Sequence, residues 1–162
     1  VRLILDADAI IKLNRAGLLA LLVRAYECLI TQAVYDEVVT TGRAEGYVDA
    51  DSIDRILENS TRVTADGEPE ESLGHGEQSI LLAHRSRSDV VVVTDDQRFR
   101  SVLIRRGFPE LPPAGVIVLL VREGWLDLTG GFKALDAMRS LVRTSSYIEA
   151  RAQLRQIGEQ EP

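Results

Sequence analysis

The chain reads as an α/β protein built on a parallel sheet with helices on both faces. Two observations predict this. Short apolar runs alternate with segments of helical periodicity, the pattern of repeated strand–helix units. One of those runs, Val90-Val91-Val92-Val93, is continuously apolar rather than alternating, as expected of a strand covered on both faces. The 162 residues suit one compact unit, and the 45% hydrophobic and 27% charged content is that of a globular chain rather than a disordered or fibrous one.

Taken in order, Leu3-Ile4-Leu5 forms the first strand and ends at Asp6. Ile10, Ile11 and Leu13, then Leu18, Leu19, Leu21 and Leu22, recur at helical spacing, with Gly17 separating two short helices. Residues 27–30 form a second strand. Thr31 is placed to cap a helix over 32–40, which Gly42 ends. A further helix is expected over 48–57, capped near Asp49 or Asp51, then an edge strand at 62–64 and an acidic loop at 65–72. Gly74 and Gly76 mark a turn before a helix over 77–87, and the valine run follows. A helix over 97–106 stops at Gly107. Residues 116–121 are strand-like in composition, yet they also run on smoothly toward Gly124 as a helix C-cap. Two helices, over 127–142 and 147–157, close the chain. The segment 127–162 is thus expected to be a helical extension packed on a unit formed by 1–126.

Composition narrows the chemistry. Cys28 is the only cysteine, so an internal disulfide and a cysteine-rich zinc site are both excluded, and its apolar setting reads as core. His75 and His84 are too few for a histidine metal cluster; a metal here would need oxygen ligands, hence Mg²⁺ or Mn²⁺ rather than zinc. No apolar run reaches the roughly 20 residues of a membrane span, and charge arrives too early at the N-terminus for a signal peptide. A soluble, cytoplasmic protein is expected. The net charge of -6 counts against nucleic-acid binding, unless several acids are gathered around bound cations that invert the local field.

In an open parallel sheet ligands bind beyond the carboxyl ends of the strands. Two strands end in acid there: Asp6 after the first, Asp95 and Asp96 after the valine run. Carboxylates that close repel one another, and a divalent cation relieves the repulsion. Two helices add acids. Glu37 borders the face marked by Val34 and Val38. Glu77 falls on one stripe with Ile80, Leu81 and His84, where a carboxylate is costly unless compensated. Each acid also has a plain structural reading. Asp8 suits an N-cap of the first helix, Asp95 stands equally as a cap of the helix after the valine run, Glu77 complements a helix dipole, and Glu37 suits a solvated boundary. His75 sits between glycines and shapes the turn; Trp125 and Tyr147 read as packing residues.

Four pieces in this order resemble the PIN-domain family: Ile4-Leu5-Asp6-Ala7-Asp8, Thr31 through Val39 around Glu37, Gly74-His75-Gly76-Glu77, and Val93-Thr94-Asp95-Asp96-Gln97-Arg98-Phe99-Arg100. The similarity runs from Leu3 to about Leu126. It is closest to a prokaryotic group related to VapC-type toxins, with a Gly-Glu helix motif and an Asp-Asp-x-x-x-Arg motif. The resemblance implies a three-layer α/β/α fold with about five parallel strands, to which the C-terminal helices are extra, and a helix over 114–123. It implies a Mg²⁺- or Mn²⁺-dependent endoribonuclease with Asp6, Glu37, Glu77 and Asp96 as catalytic acids and metal ligands, assisted by Asp95; Asp8 stands where many relatives carry Ser, Thr or Asn, and is expected to add a metal ligand or alter metal preference. Thr94, Lys12, Arg98 and Arg100 are the expected substrate contacts. RNA is the expected partner, with an antitoxin protein and a homodimer implied by relatives. A non-catalytic nucleic-acid-binding or scaffold protein is the alternative. A phosphoryl-transfer receiver, also an acidic pocket on a parallel sheet, requires a lysine after a late strand, and neither Lys12 nor Lys133 is there.

Overall fold

The computed structural model describes residues 1–68, 72–87 and 89–160. Five strands form one all-parallel sheet in the order β3-β2-β1-β4-β5: β1 (Arg2–Leu5), β2 (Glu27–Thr31), β3 (Thr61–Val63), β4 (Val90–Val93) and β5 (Glu110–Leu111). The two apolar strands without polar alternation, β1 and β4, lie side by side at the centre, where both faces are covered. Leu3, Ile4, Leu5, Val90, Val92 and Val93 are fully buried. Their register sets Leu5 opposite Val93, so Asp6 and Thr94 leave the sheet at the same level and the same edge.

The first strand passes directly into α1 (Ala7–Arg15), and α2 (Leu19–Ala25) follows after the left-handed turn at Gly17. Beyond β2 the helix expected over 32–40 is not regular. An α-helical turn, α3 (Gln32–Tyr35), runs into a π-helical stretch, Asp36–Thr41, and on into α4 (Gly42–Ala44). Gly42 does not end this helix; its φ of -56° is helical, and the terminator is Gly46 with φ of +75°. The remaining helices are α5 (Ala50–Leu57), α6 (His75–Arg85), α7 (Gln97–Arg105), α8 (Pro113–Arg122), α9 (Leu128–Met138) and α10 (Thr144–Gln160).

The strand reading of 116–121 is corrected by α8. Pro112 and Pro113 open it, a setting in which proline loses no helical hydrogen bond. The segment is apolar all round because α9 and α10 pack on it, and such a helix carries no amphipathic stripe to betray it. Leu135, Met138, Tyr147, Ala150 and Leu154 of these last helices belong to the same buried cluster as the sheet residues. His84 is buried, accepts or donates one hydrogen bond at the Val90 carbonyl oxygen (3.1 Å), and stacks on Phe108. Cys28 is buried too, and burial pushes its thiol up to about 12, which leaves it no thiolate chemistry. Among the described residues, no helix is long and apolar enough to cross a membrane.

Candidate acidic metal centre

At the carboxyl edge of the sheet lies a cavity of about 270 Å³ lined by Asp6, Asp8, Glu37, Glu77 and Asp96, together with Ala7, Gly74, His75 and Gly76. The five acids come from four separate stretches of chain. Among the described residues, no lysine or arginine lines it.

Local structure places each acid. Asp6 is the N-cap of α1, its Oδ1 accepting from the Ala9 N–H at 2.7 Å. Asp96 does the same for α7, accepting from the Phe99 N–H at 2.7 Å. These caps fall on Asp6 and Asp96, not on Asp8 and Asp95, whose side chains are engaged otherwise. Glu77 is the third residue of α6 and reaches back to accept from the Gly74 N–H at 3.2 Å, so its first role is to complete the helix start. Glu37 lies in the π-helical stretch. Such a stretch widens the helix locally, and it recurs at functional sites. Here it brings Glu37 over the backbone of Gly76, where a Cβ would sit 3.2 Å from Glu37 Oε2.

The electrostatics are those of crowded negative charge. Burial raises Asp6 to about 7; hydrogen bonds from Thr94 and the Ala9 N–H, and the charge of Lys12, pull it the other way, while Asp8 adds to the rise. Glu37 is also raised, first by loss of water and then by the charge of Glu77. A cavity in which burial and neighbouring charge push Asp6 and Glu37 upward is one that a cation would relieve.

The donor set fits a hard cation. Every polar side chain lining the cavity except His75 is a carboxylate, as Mg²⁺ and Mn²⁺ require. Among the described residues, no three His, Cys, Asp or Glu side chains converge closely enough to cage an ion by themselves.

Other expected site residues are placed differently. Asp95 turns into the protein, away from the cavity. Its oxygens take Lys12 Nζ at 3.1 Å, the Arg143 N–H at 3.0 Å and the Ser146 hydroxyl at 3.0 Å, and no oxygen is directed at a metal. Lys12 Nζ also pairs with Asp8 at 2.6 Å. Thr94 is fully buried, and its Oγ1 accepts from the Asp96 N–H. Arg100 forms a two-point pair with Glu110 at 2.6 and 3.1 Å, which ties α7 to the edge strand β5. Arg98 stays at the surface and donates to the Ser72 carbonyl at 2.8 Å. Sequence reasoning assigned His75 to the turn alone; it is exposed and lines the cavity. Its position as the first residue of a helix whose third residue is Glu77 was the signal available.

A family model described as a PIN domain matches residues 2–159, through the last helix. No curated protein matches the chain. Among solved structures, a PilT N-terminus domain protein from the hyperthermophilic archaeon Sulfolobus solfataricus P2 is similar, with a TM-score of 0.44 and 12% identity, over 70% of this chain and 87% of that one.

Proposed function

We infer the function of this chain from one premise: it belongs to the PIN-domain family, whose fold is of nuclease type. The reading is a Mg²⁺- or Mn²⁺-dependent endoribonuclease that hydrolyses RNA phosphodiester bonds. The observation that supports it most is the gathering of Asp6, Glu37, Glu77 and Asp96 around one cavity with no lysine or arginine lining it among the described residues.

Asp6 and Asp96 are the proposed direct ligands, with Glu37, Glu77 and Asp8 completing the shell directly or through water. In Asp6 and Asp96 one oxygen is already held by a backbone N–H, and the cap fixes the carboxylate at the cavity wall where it would hold an ion. A bound divalent ion supplies Lewis acidity and positive charge to a phosphodiester and its attacking water. Thr94 serves from behind, orienting Asp6 and the backbone of Asp96. Glu37 and Glu77, which both line the cavity, are the proposed groups that orient a water and carry its proton. No side chain is needed as a covalent nucleophile.

A toxin role with an antitoxin partner, and assembly as a homodimer, rest on the resemblance to VapC-type proteins alone. The test of the activity is cleavage of labelled RNA in Mg²⁺ or Mn²⁺ and in chelator, with wild type, Asp6→Asn and Asp96→Asn. Cleavage by the wild type that both substitutions and the chelator abolish is expected. Equal cleavage by all three proteins would remove the reading, and RNA binding without cleavage would favour the scaffold alternative.

A further inference from the structure

Two more cavities continue from the acidic one along a single face of α6. The first, of about 260 Å³, shares His75 with the acidic cavity; Gln32, Ala65, Gln78, Ser79 and Leu82 are among its walls. No carboxylate, lysine or arginine lines it among the described residues. The second shares Leu82 with the first and is lined by Arg85, Arg87 and Thr64, with Asp66 its one carboxylate among the described residues. His75, Gln78, Leu82 and Arg85 follow one another at three- and four-residue steps, with Ser79 four beyond His75, which is one helix face. The 11 residues of α6 cover about 16 Å. Along that line the surface passes from acidic, through neutral and polar, to basic.

We propose that α6 is a track for single-stranded RNA, in which the neutral cavity takes the base beside the scissile phosphate and Arg87 takes a backbone phosphate further on. This deepens, and rests on, the ribonuclease reading. Among the described residues a phosphate has no cation to hold it in the neutral cavity, whereas an uncharged base has what it needs there: the Gln32 amide, which both donates and accepts, and an apolar wall. The Gln32 amide is oriented at both ends before any ligand arrives. Its Nε2 donates to Asp36 at 2.8 Å and its Oε1 accepts from Arg62 at 3.4 Å, the Arg62 guanidinium itself lying 3.5 Å above the Tyr35 ring. One N–H and one lone pair of that amide remain for a base edge. Thr31 and Ser79 hydroxyls, bonded to each other at 2.6 Å, floor the cavity. Arg87 donates to the Ala83 carbonyl and the Ser86 hydroxyl, two uses of a guanidinium with five donors.

The test is binding of a short fluorescent single-stranded oligoribonucleotide in chelator, read by anisotropy against salt, beside the same strand carrying abasic sites. Ala65→Leu fills the neutral cavity and should weaken binding of the intact strand about tenfold, while the abasic strand binds it and the wild type alike. Arg87→Gln should lower affinity for both strands and reduce the slope of log K on log salt by about 0.7. Circular dichroism checks folding; Gln32→Ala, at the exposed rim, gives a second probe of the same cavity. Wild-type affinity in Ala65→Leu and Gln32→Ala, or no RNA binding by the wild type, overturns the track. Cleavage in Mn²⁺ with binding unmoved by these changes overturns the track and leaves the nuclease; the expected binding losses without cleavage do the reverse.

Discussion

Lys12 Nζ lies 3.1 Å from the carboxylate of Asp95, whose side chain has no exposure to solvent. Asp95 also holds the Arg143 N–H and the Ser146 hydroxyl, so one buried carboxylate fastens the start of α10 to the end of β4. Its neighbour Asp96 faces the cavity. Two adjacent acids therefore serve different ends, one joining the C-terminal helices to the sheet and one lining the site.

Breaking the first of these should unfold more than it silences. Asp95→Ala leaves the buried Ser146 hydroxyl and the part-buried Arg143 N–H without their acceptor and Lys12 with Asp8 alone, and a buried donor left unsatisfied costs about 1–3 kcal/mol. The melting temperature should fall sharply, and chemical denaturation of Asp95→Ala against wild type measures it. Unchanged stability would mean that α10 docks without this carboxylate.

Asp6 gives a pH dependence of defined sign. Its pKa rises from 3.8 in the unfolded chain to about 7 in the fold, so between those values the folded state binds the extra proton. Stability of the metal-free protein should fall as pH rises through that window, by at most about 4 kcal/mol. Asn at the same position keeps the N-cap and removes the charge. In chelator, Asp6→Asn should be more stable than wild type at pH 8 and no more stable at pH 4. Parallel melting curves across the range would contradict the assignment.

Gly76 tests the contact that seats Glu37. In Gly76→Ala the added methyl meets Glu37 Oε2 at 3.2 Å and Val34 Cγ2 at 3.4 Å, so the carboxylate must give way. Glycine to alanine within a helix favours the fold by up to about 1 kcal/mol. The expected result is little change in melting temperature with a clear loss of RNA cleavage. Retained cleavage would remove Glu37 from the machinery.

Arg100 separates a structural motif from a substrate contact. Its two-point pair with Glu110, with side-chain exposures of 20% and 13%, belongs to the stronger class of ion pairs. Arg100→Lys and Glu110→Gln should both lower stability, by about 1–3 kcal/mol, with KM for RNA unchanged. A rise in KM confined to the arginine variant would return Arg100 to the substrate.

What could be read from the sequence follows the strength of local signals. The central strands were legible because Leu3-Ile4-Leu5 and the valine run have no polar alternation, and their acid ends located the cavity edge. β5 was not, since two residues between Pro109 and Pro112 carry no pattern. The apolar α8 was ambiguous because periodicity shows only when one helix face is wet. The π-helical stretch carrying Glu37 arises from how the helix packs, which leaves no mark in spacing. Which of Asp95 and Asp96 faces the cavity was hidden for the same reason: the partners that decide it, Lys12, Arg143 and Ser146, are remote in the chain.

The central claim is that the acids at the carboxyl edge of the sheet hold a divalent cation, and Mn²⁺ binding measured by electron paramagnetic resonance tests it most directly. Titrating the wild type should remove free Mn²⁺ signal saturably, Mg²⁺ should compete for the same sites, and Asp6→Asn and Asp96→Asn should each weaken the uptake at least about tenfold. Uptake that is absent in the wild type, or unchanged in both variants, would contradict it.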